Sequence, residues 1–159
     1  MDYIRSDKSD GCFICDAAVR ENDRDNLLAY RGETCCVVIN RYPYNSGHVM
    51  VAPYRHVAAL RDMTDEERLE IMHLTSQSVQ ALHSIMCPDG FNVGINLGEA
   101  AGAGLKEHVH QHLVPRWVGD TNFMPVMADV KVVPQALEEL WDALHPLLAD
   151  KAAAPREKH

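Results

Sequence analysis

His108-Val109-His110-Gln111-His112-Leu113-Val114-Pro115 is the stretch that decides how this chain is read. Histidines at i, i+2 and i+4 would be spread around a helix. On a strand they project from one face, because side chains alternate with a period of two. Val109, Gln111 and Leu113 then face the other way, and Pro115 ends the run because it has no N–H for a central ladder. The strand rise sets the imidazoles about 7 Å apart. Neutral imidazole is a nucleophile near pH 7, and a neighbouring imidazole can bind phosphoryl oxygens or protonate a leaving group. A three-histidine metal site is the competing reading of the same face.

Just upstream, Asn96-Leu97-Gly98-Glu99-Ala100-Ala101-Gly102-Ala103-Gly104 is a loop of small residues. With few Cβ atoms in the way, its N–H groups can approach an anion, so beside the histidines it reads as a phosphate cradle.

Further out, Leu27 to Tyr30 and Cys35 to Ile39 are apolar runs split by Arg31-Gly32-Glu33, the pattern of a hairpin. Asn45-Ser46-Gly47 forms a second turn, leading into a strand from Val49 to Pro53. Thr64, with Glu67 three residues on, opens a helix with a capping box. Leu69, Met72, Val79, Leu82 and Met86 form its expected buried face, and Cys87-Pro88 ends it. Phe91 to Leu97 and Val109 to Val114 are two further strands. Pro134 starts a last helix with Leu137, Leu140, Trp141, Leu144 and Leu148 inward. The expected fold is α+β: an antiparallel sheet of about five strands with a long helix across it and a C-terminal helix. Residues 1–150 form one domain, and 151–159 read as a disordered tail.

With 159 residues, 47% of them hydrophobic and 24% charged, the chain can build a core without disulfides. A formal charge of −8 argues against a general nucleic-acid binder but leaves room for a small anionic ligand. No apolar stretch is long enough for a membrane span, and Met1 to Asp10 lacks the apolar core of a secretion signal. The expectation is a cytoplasmic protein. Five cysteines, an odd count, then suggest free thiols or metal ligands.

Cys12-Phe13-Ile14-Cys15 has the C-x2-C spacing of a zinc half-site, with a redox pair or two buried thiols as alternatives. Cys35, Cys36 and Cys87 read as core cysteines. His73 and His83 on the long helix, and His145 on the last one, read as surface or packing residues.

His-Val-His-Gln-His-Leu-Val resembles the motif of the histidine triad (HIT) superfamily of nucleotide hydrolases and transferases. The resemblance spans roughly residues 10 to 148. It includes Asn40-Arg41-Tyr42-Pro43-Tyr44-Asn45-Ser46-Gly47-His48, Pro53-Tyr54-Arg55-His56 and Gly90-Phe91-Asn92-Val93-Gly94-Ile95-Asn96-Leu97-Gly98. Pro115-Arg116-Trp117 and Gly119-Asp120-Thr121-Asn122-Phe123-Met124-Pro125 are similar to the bacterial diadenosine tetraphosphate phosphorylase-like branch.

The resemblance implies cleavage of a dinucleoside polyphosphate, such as diadenosine tetraphosphate, through a nucleotidyl intermediate on His110. His112 would contact the phosphate, and Asn96 with the Ala103, Gly104 and Leu105 loop would hold phosphate oxygens. Asn40 would bind the ribose, and His48 and Trp117 would complete the pocket. The acceptor would be inorganic phosphate in a phosphorylase and water in a hydrolase. Trp117 and Asn122-Phe123 favour the phosphorylase. HIT-type hydrolase, phosphoramidase and low-turnover nucleotide binding are the alternatives. A structural Zn2+ would be held by Cys12, Cys15, His56 and His108, and the protein would be a homodimer. Two positions depart from the family pattern: Gln111 stands where an apolar residue is usual, and Gly104 replaces a glutamine common in hydrolases.

Overall fold

The computed structural model describes residues 11–102, 104–120 and 136–153. The elements run α1 (Phe13–Val19), β1 (Leu28–Arg31), β2 (Cys35–Ile39), β3 (Val49–Pro53), α2 (Asp65–Met86), β4 (Gly90–Ile95), β5 (Gln111–Arg116) and α3 (Leu137–Ala153). The strands form one sheet in the order β1-β2-β3-β5-β4, with every neighbouring pair antiparallel. This is the expected α+β architecture. Among the described residues no helix is long and apolar enough to cross a membrane.

Alternation along the strands makes two cores. Cys35, Val37 and Ile39 of β2, with Val49 and Val51 of β3, pack beneath α2 and α3. Cys36, Val38, Met50 and Ala52 pack on the opposite face against Cys12, Ile14, Cys15 and Ala17. Leu113 and Val109 belong to the first core. His112 pairs with Met50 and so faces the α1 side.

Helix α2 starts as expected: Thr64 Oγ1 accepts from Glu67 N–H, and the Glu67 carboxylate accepts from Thr64 N–H. Its buried face matches the expected one at Leu82, with Val79 and Met86 packed against the core, but differs over its first half. Ile71, Leu74, Ala81 and Leu82 are buried together with Glu67, Thr75 and Ser78. Leu69 and Met72 are 71% and 59% exposed. The carboxylate of Glu70 reaches the β1–β2 turn, accepting from Glu33, Thr34 and Cys35 N–H and from Thr34 Oγ1. That contact turns α2 so that the 71/74/82 stripe, not the 69/72 stripe, meets the sheet.

Three further expectations are corrected. Pro115 does not end its strand: β5 runs on to Arg116, with Pro115 opposite Phe91. The β3 ladder stops at Leu113, and the Pro115 carbonyl accepts from Asn45 Nδ2 at 3.2 Å, so no partner there lacks a donor. Cys87 is exposed, because it caps α2 in the left-handed conformation at φ 45°. Helix α3 extends to Ala153, into the stretch read as tail. Its inward residues Leu140, Leu144 and Leu148 are buried as expected. Ala103, the 122–125 stretch, Pro134 and residues 154–159 lie outside the described residues.

Candidate active site and metal cluster

The histidine segment enters the sheet obliquely. Gln111, His112 and Leu113 of the motif are paired with β3, opposite Val51, Met50 and Val49, whereas His108 to His110, expected on the strand, precede it. Before Gln111 the chain stays beside the exit of β3. Val109 N–H donates to Val57 O at 2.7 Å, and His108 Nε2 lies 2.8 Å from Pro53 O. A carbonyl can only accept, so His108 carries its proton on Nε2 and turns the Nδ1 lone pair the other way.

His110 is buried, and its Nδ1 lies 2.8 Å from the carbonyl of His108. That nitrogen therefore donates, and the lone pair of an uncharged ring would lie on Nε2. The His110 and His112 rings meet edge to face, centroids 4.8 Å apart.

A second chain of contacts orients His112. Tyr44 N–H donates to His48 Nδ1 at 3.1 Å, and Asn40 Nδ2 lies 3.2 Å from the same nitrogen. With donors aimed at it, Nδ1 of His48 is unprotonated and Nε2 bears the hydrogen. That Nε2 donates to His112 Nδ1 at 2.9 Å. His112 is left with its own N–H on Nε2. Burial, reinforced by the neighbouring His110, pushes His112 down to about 4, so it is neutral at physiological pH. The pair thus offers a lone pair on His110 beside an N–H on His112.

A cavity of about 320 Å3 opens between α1 and the end of β2. Phe13, Ala17, Leu27, Val38 and Tyr42 give it apolar walls, and Asp16, Asn26 and Asn40 give it polar ones. Asn40 joins this cavity to the histidines through its contact with His48. A cleft with apolar walls and a few placed polar groups suits a base and its sugar.

On the same face, the side chains of Cys12, Cys15, His56 and His108 converge, with their ligand atoms all within 4.8 Å of one another. His108 Nδ1 lies 3.2 Å from Cys12 Sγ and 3.4 Å from Cys15 Sγ, and His56 Nδ1 lies 3.3 Å from Cys15 Sγ. A tetrahedral Zn2+ with ordinary Zn–S and Zn–N bonds needs ligand separations of about 3.6 Å, so the donor set fits a metal. The Nε2–H contact of His108 to Pro53 O is the outer hydrogen bond that metal-ligating histidines commonly make. Burial and the neighbouring Cys12 push the Cys15 thiol up to about 12. Metal binding would therefore have to displace its proton.

The remaining expected site residues are placed less directly. His48 is fully buried, so it does not line the pocket itself; it touches Asn40 and His112 instead. Asn96 is half-buried just past β4, and the loop after it makes a short 3-10 turn over Glu99–Ala101. Gly104 is exposed, and Leu105 packs on the α1-side core. Trp117 is half-buried, its N–H held by Asp120 Oδ2 at 3.1 Å. Sequence reading missed Phe13 and Asn26 as cavity walls and Tyr44 as a neighbour of the histidines. Phe13 lies inside the C-x2-C motif, where attention falls on the cysteines.

Comparisons with known proteins agree with this geometry. The HIT domain family matches residues 21–118. The chain is 47% identical over 118 residues to AP-4-A phosphorylase of Mycobacterium tuberculosis, covering 74% of this chain and 60% of that one. It is 32% identical over 91 residues to bis(5'-nucleosyl)-tetraphosphatase [asymmetrical] of Schizosaccharomyces pombe, covering 57% of this chain and 50% of that one. The chain thus spans between half and about 60% of these two relatives. Among solved structures, a Zn-bound histidine triad family protein from Mycobacterium smegmatis superposes with a TM-score of 0.64 at 26% identity, covering 80% and 86% of the two chains. A hypothetical histidine triad nucleotide-binding protein from Sulfolobus tokodaii shares the fold, with a TM-score of 0.68 at 21% identity, covering 93% and 99%. With its histidine segment at the head of β5 and the match over residues 21–118, the chain belongs to the HIT domain family.

Proposed function

We propose that the protein is a nucleotidyltransferase that cleaves dinucleoside polyphosphates, with phosphate as the preferred acceptor. The observation that carries this reading is the pairing of a lone pair on His110 Nε2 with an N–H on His112 Nε2, linked through His48 and Asn40 to a nucleoside-sized cavity. His110 Nε2 forms a bond to the α-phosphorus while the bond to the leaving oxygen breaks. That releases a nucleoside polyphosphate and leaves a nucleotidyl-histidine. His112 Nε2–H donates to a phosphoryl oxygen and follows charge as it moves toward the leaving group. Phosphate then attacks the same phosphorus in line and restores His110. Asn40, a wall of the cavity, is assigned to the ribose. Amides of Asn96 and the Ala103, Gly104 and Leu105 loop, with Trp117, are assigned to the polyphosphate.

The resemblance to AP-4-A phosphorylase of M. tuberculosis supports phosphate over water as the acceptor. A structural Zn2+ on Cys12, Cys15, His56 and His108 would supply rigidity, fixing α1 to the loop after β3 and to the histidine segment. A homodimer is supported by the apolar side chains left exposed, Leu69 and Met72 on α2 and Val93 on the edge strand β4. Five free cysteines suit a reducing cytoplasm.

Incubation with diadenosine tetraphosphate, with and without inorganic phosphate, tests the reaction. ADP plus ATP formed only with phosphate is expected. AMP plus ATP, or two ADP, formed without phosphate would make the protein a hydrolase. No product in either case would contradict the enzymatic reading.

A further inference from the structure

We propose that the ring of Tyr44 is the stacking platform for the second nucleoside of the substrate, the one that departs with the leaving group. The inference rests on the nucleotidyl-transfer reading of His110. A dinucleoside polyphosphate carries two bases. The cavity beside α1, at about 320 Å3, is at the low end of small-molecule sites and accommodates one nucleoside. The other must lie against a different surface within reach of the same phosphates.

Tyr44 offers that surface. Its ring lies 5.6 Å from the ring of His112 and 4.6 Å from that of His48, tilted by 33° and 39°. It is nevertheless 58% exposed, so a large part of the ring stands open to solvent beside the histidine assigned to the phosphates. Tyr44 is not among the residues that wall the nucleoside cavity, whereas Tyr42 is.

The backbone that carries the ring is held before any ligand arrives. The Tyr44 N–H is bound to His48 Nδ1. Next to it, Asn45 Nδ2 donates to Pro115 O at 3.2 Å and to Asp120 Oδ2 at 3.0 Å. Gly47 turns the chain at φ +76°, where a Cβ would strike Met86 and Pro115. A tyrosine ring has only two side-chain torsions to fix, so on a held backbone it costs little ordering when a base stacks on it. Stacking tolerates any base, so the platform would select for a second nucleoside without selecting its identity.

The test compares two methylene-bridged, cleavage-resistant ligands that differ only in the second nucleoside: the diadenosine tetraphosphate analogue and the adenosine tetraphosphate analogue. Calorimetry on the wild-type protein is expected to show tighter binding of the dinucleotide. Tyr44→Ala and Tyr44→Leu should weaken the dinucleotide by about tenfold and leave the mononucleotide unchanged. Tyr44→Phe should behave as wild type. Equal loss of both ligands in Tyr44→Ala and Tyr44→Leu would mean that the ring only supports His112, and would overturn the platform alone. So would equal wild-type affinity for the two ligands. Failure of the wild-type protein to bind either ligand would overturn the nucleotide-site reading, and the platform with it.

Discussion

His110 Nδ1 donates to the carbonyl oxygen of His108 at 2.8 Å, so the backbone of one motif histidine sets the proton of the next. The side chain of His108 points instead into the cysteine cluster. Residues two apart thus do different work. One ring belongs to the fold, and its peptide group aims the other ring's lone pair.

The His48-to-His112 bond makes a testable demand on protonation. His112 is expected to be the Nε2–H tautomer and to titrate near pH 4, which 15N-resolved NMR of the imidazoles reads directly. An unfolded histidine titrates at about 6.5. The unfolded chain therefore binds the extra proton first as pH falls, and stability declines from about pH 6.5 until about pH 4. His48→Ala should lower kcat by about 10²-fold while nucleotide affinity changes little. Titration of His112 near 6.5, or an unchanged kcat, would contradict the relay.

Metal analysis addresses the cysteine cluster. The purified protein is expected to carry zinc at one equivalent per chain, and Cys12→Ser/Cys15→Ser protein to carry none and to melt at a lower temperature. Zinc content unchanged by the double substitution would sink the site.

Glu70 should make stability depend on acid. Burial alone would raise its carboxyl. Hydrogen bonds from the Thr34 side chain and from Glu33, Thr34 and Cys35 N–H outweigh that and hold it below the usual range. A depressed folded value means its contribution is complete above the unfolded value of about 4.3 and is lost as pH falls through the folded one. Glu70→Ala should cost about 2–3 kcal/mol at pH 7. Denaturant titrations at pH 7 and pH 3 should show the gap between wild type and variant shrinking. A constant gap would show that the charge is not what matters.

Gln111 stands where an apolar side chain is usual, and it is buried. It reaches Thr75 Oγ1 on α2, and Thr75 Oγ1 in turn donates to Ile71 O at 2.7 Å. Thr75→Val removes the acceptor of a buried amide and should cost about 1–3 kcal/mol. Adding Gln111→Leu should recover part of that loss, giving a coupling of about 1 kcal/mol in a double-mutant cycle. Strict additivity would mean the two side chains do not act together.

Most of the sheet was legible from sequence because period-two alternation and turn residues are local signals. The predicted strands Cys35 to Ile39 and Val49 to Pro53 match the observed ones residue for residue. Helix α1 was not legible: it has seven residues and is capped by a thiol, with Cys15 N–H directed at Cys12 Sγ. The α2 face was misread because Leu69 and Met72 look like a core stripe, whereas the buried stripe includes Glu67 and Thr75. Local bonds to Thr64 N–H and Ile71 O satisfy those two in part, and Arg55 and Gln111, from other elements, complete them. For the same reason the contact of His48 with His112 was not legible, since the two lie 64 positions apart.

The most direct test of the nucleotidyl-transfer reading is rapid quenching of the protein with diadenosine tetraphosphate in the absence of phosphate, followed by peptide mass analysis. A single nucleotidyl group on His110, absent from His110→Ala protein and discharged as ADP when phosphate is added, is the predicted result. Turnover with no covalent nucleotide, or with the nucleotide on another residue, would contradict it.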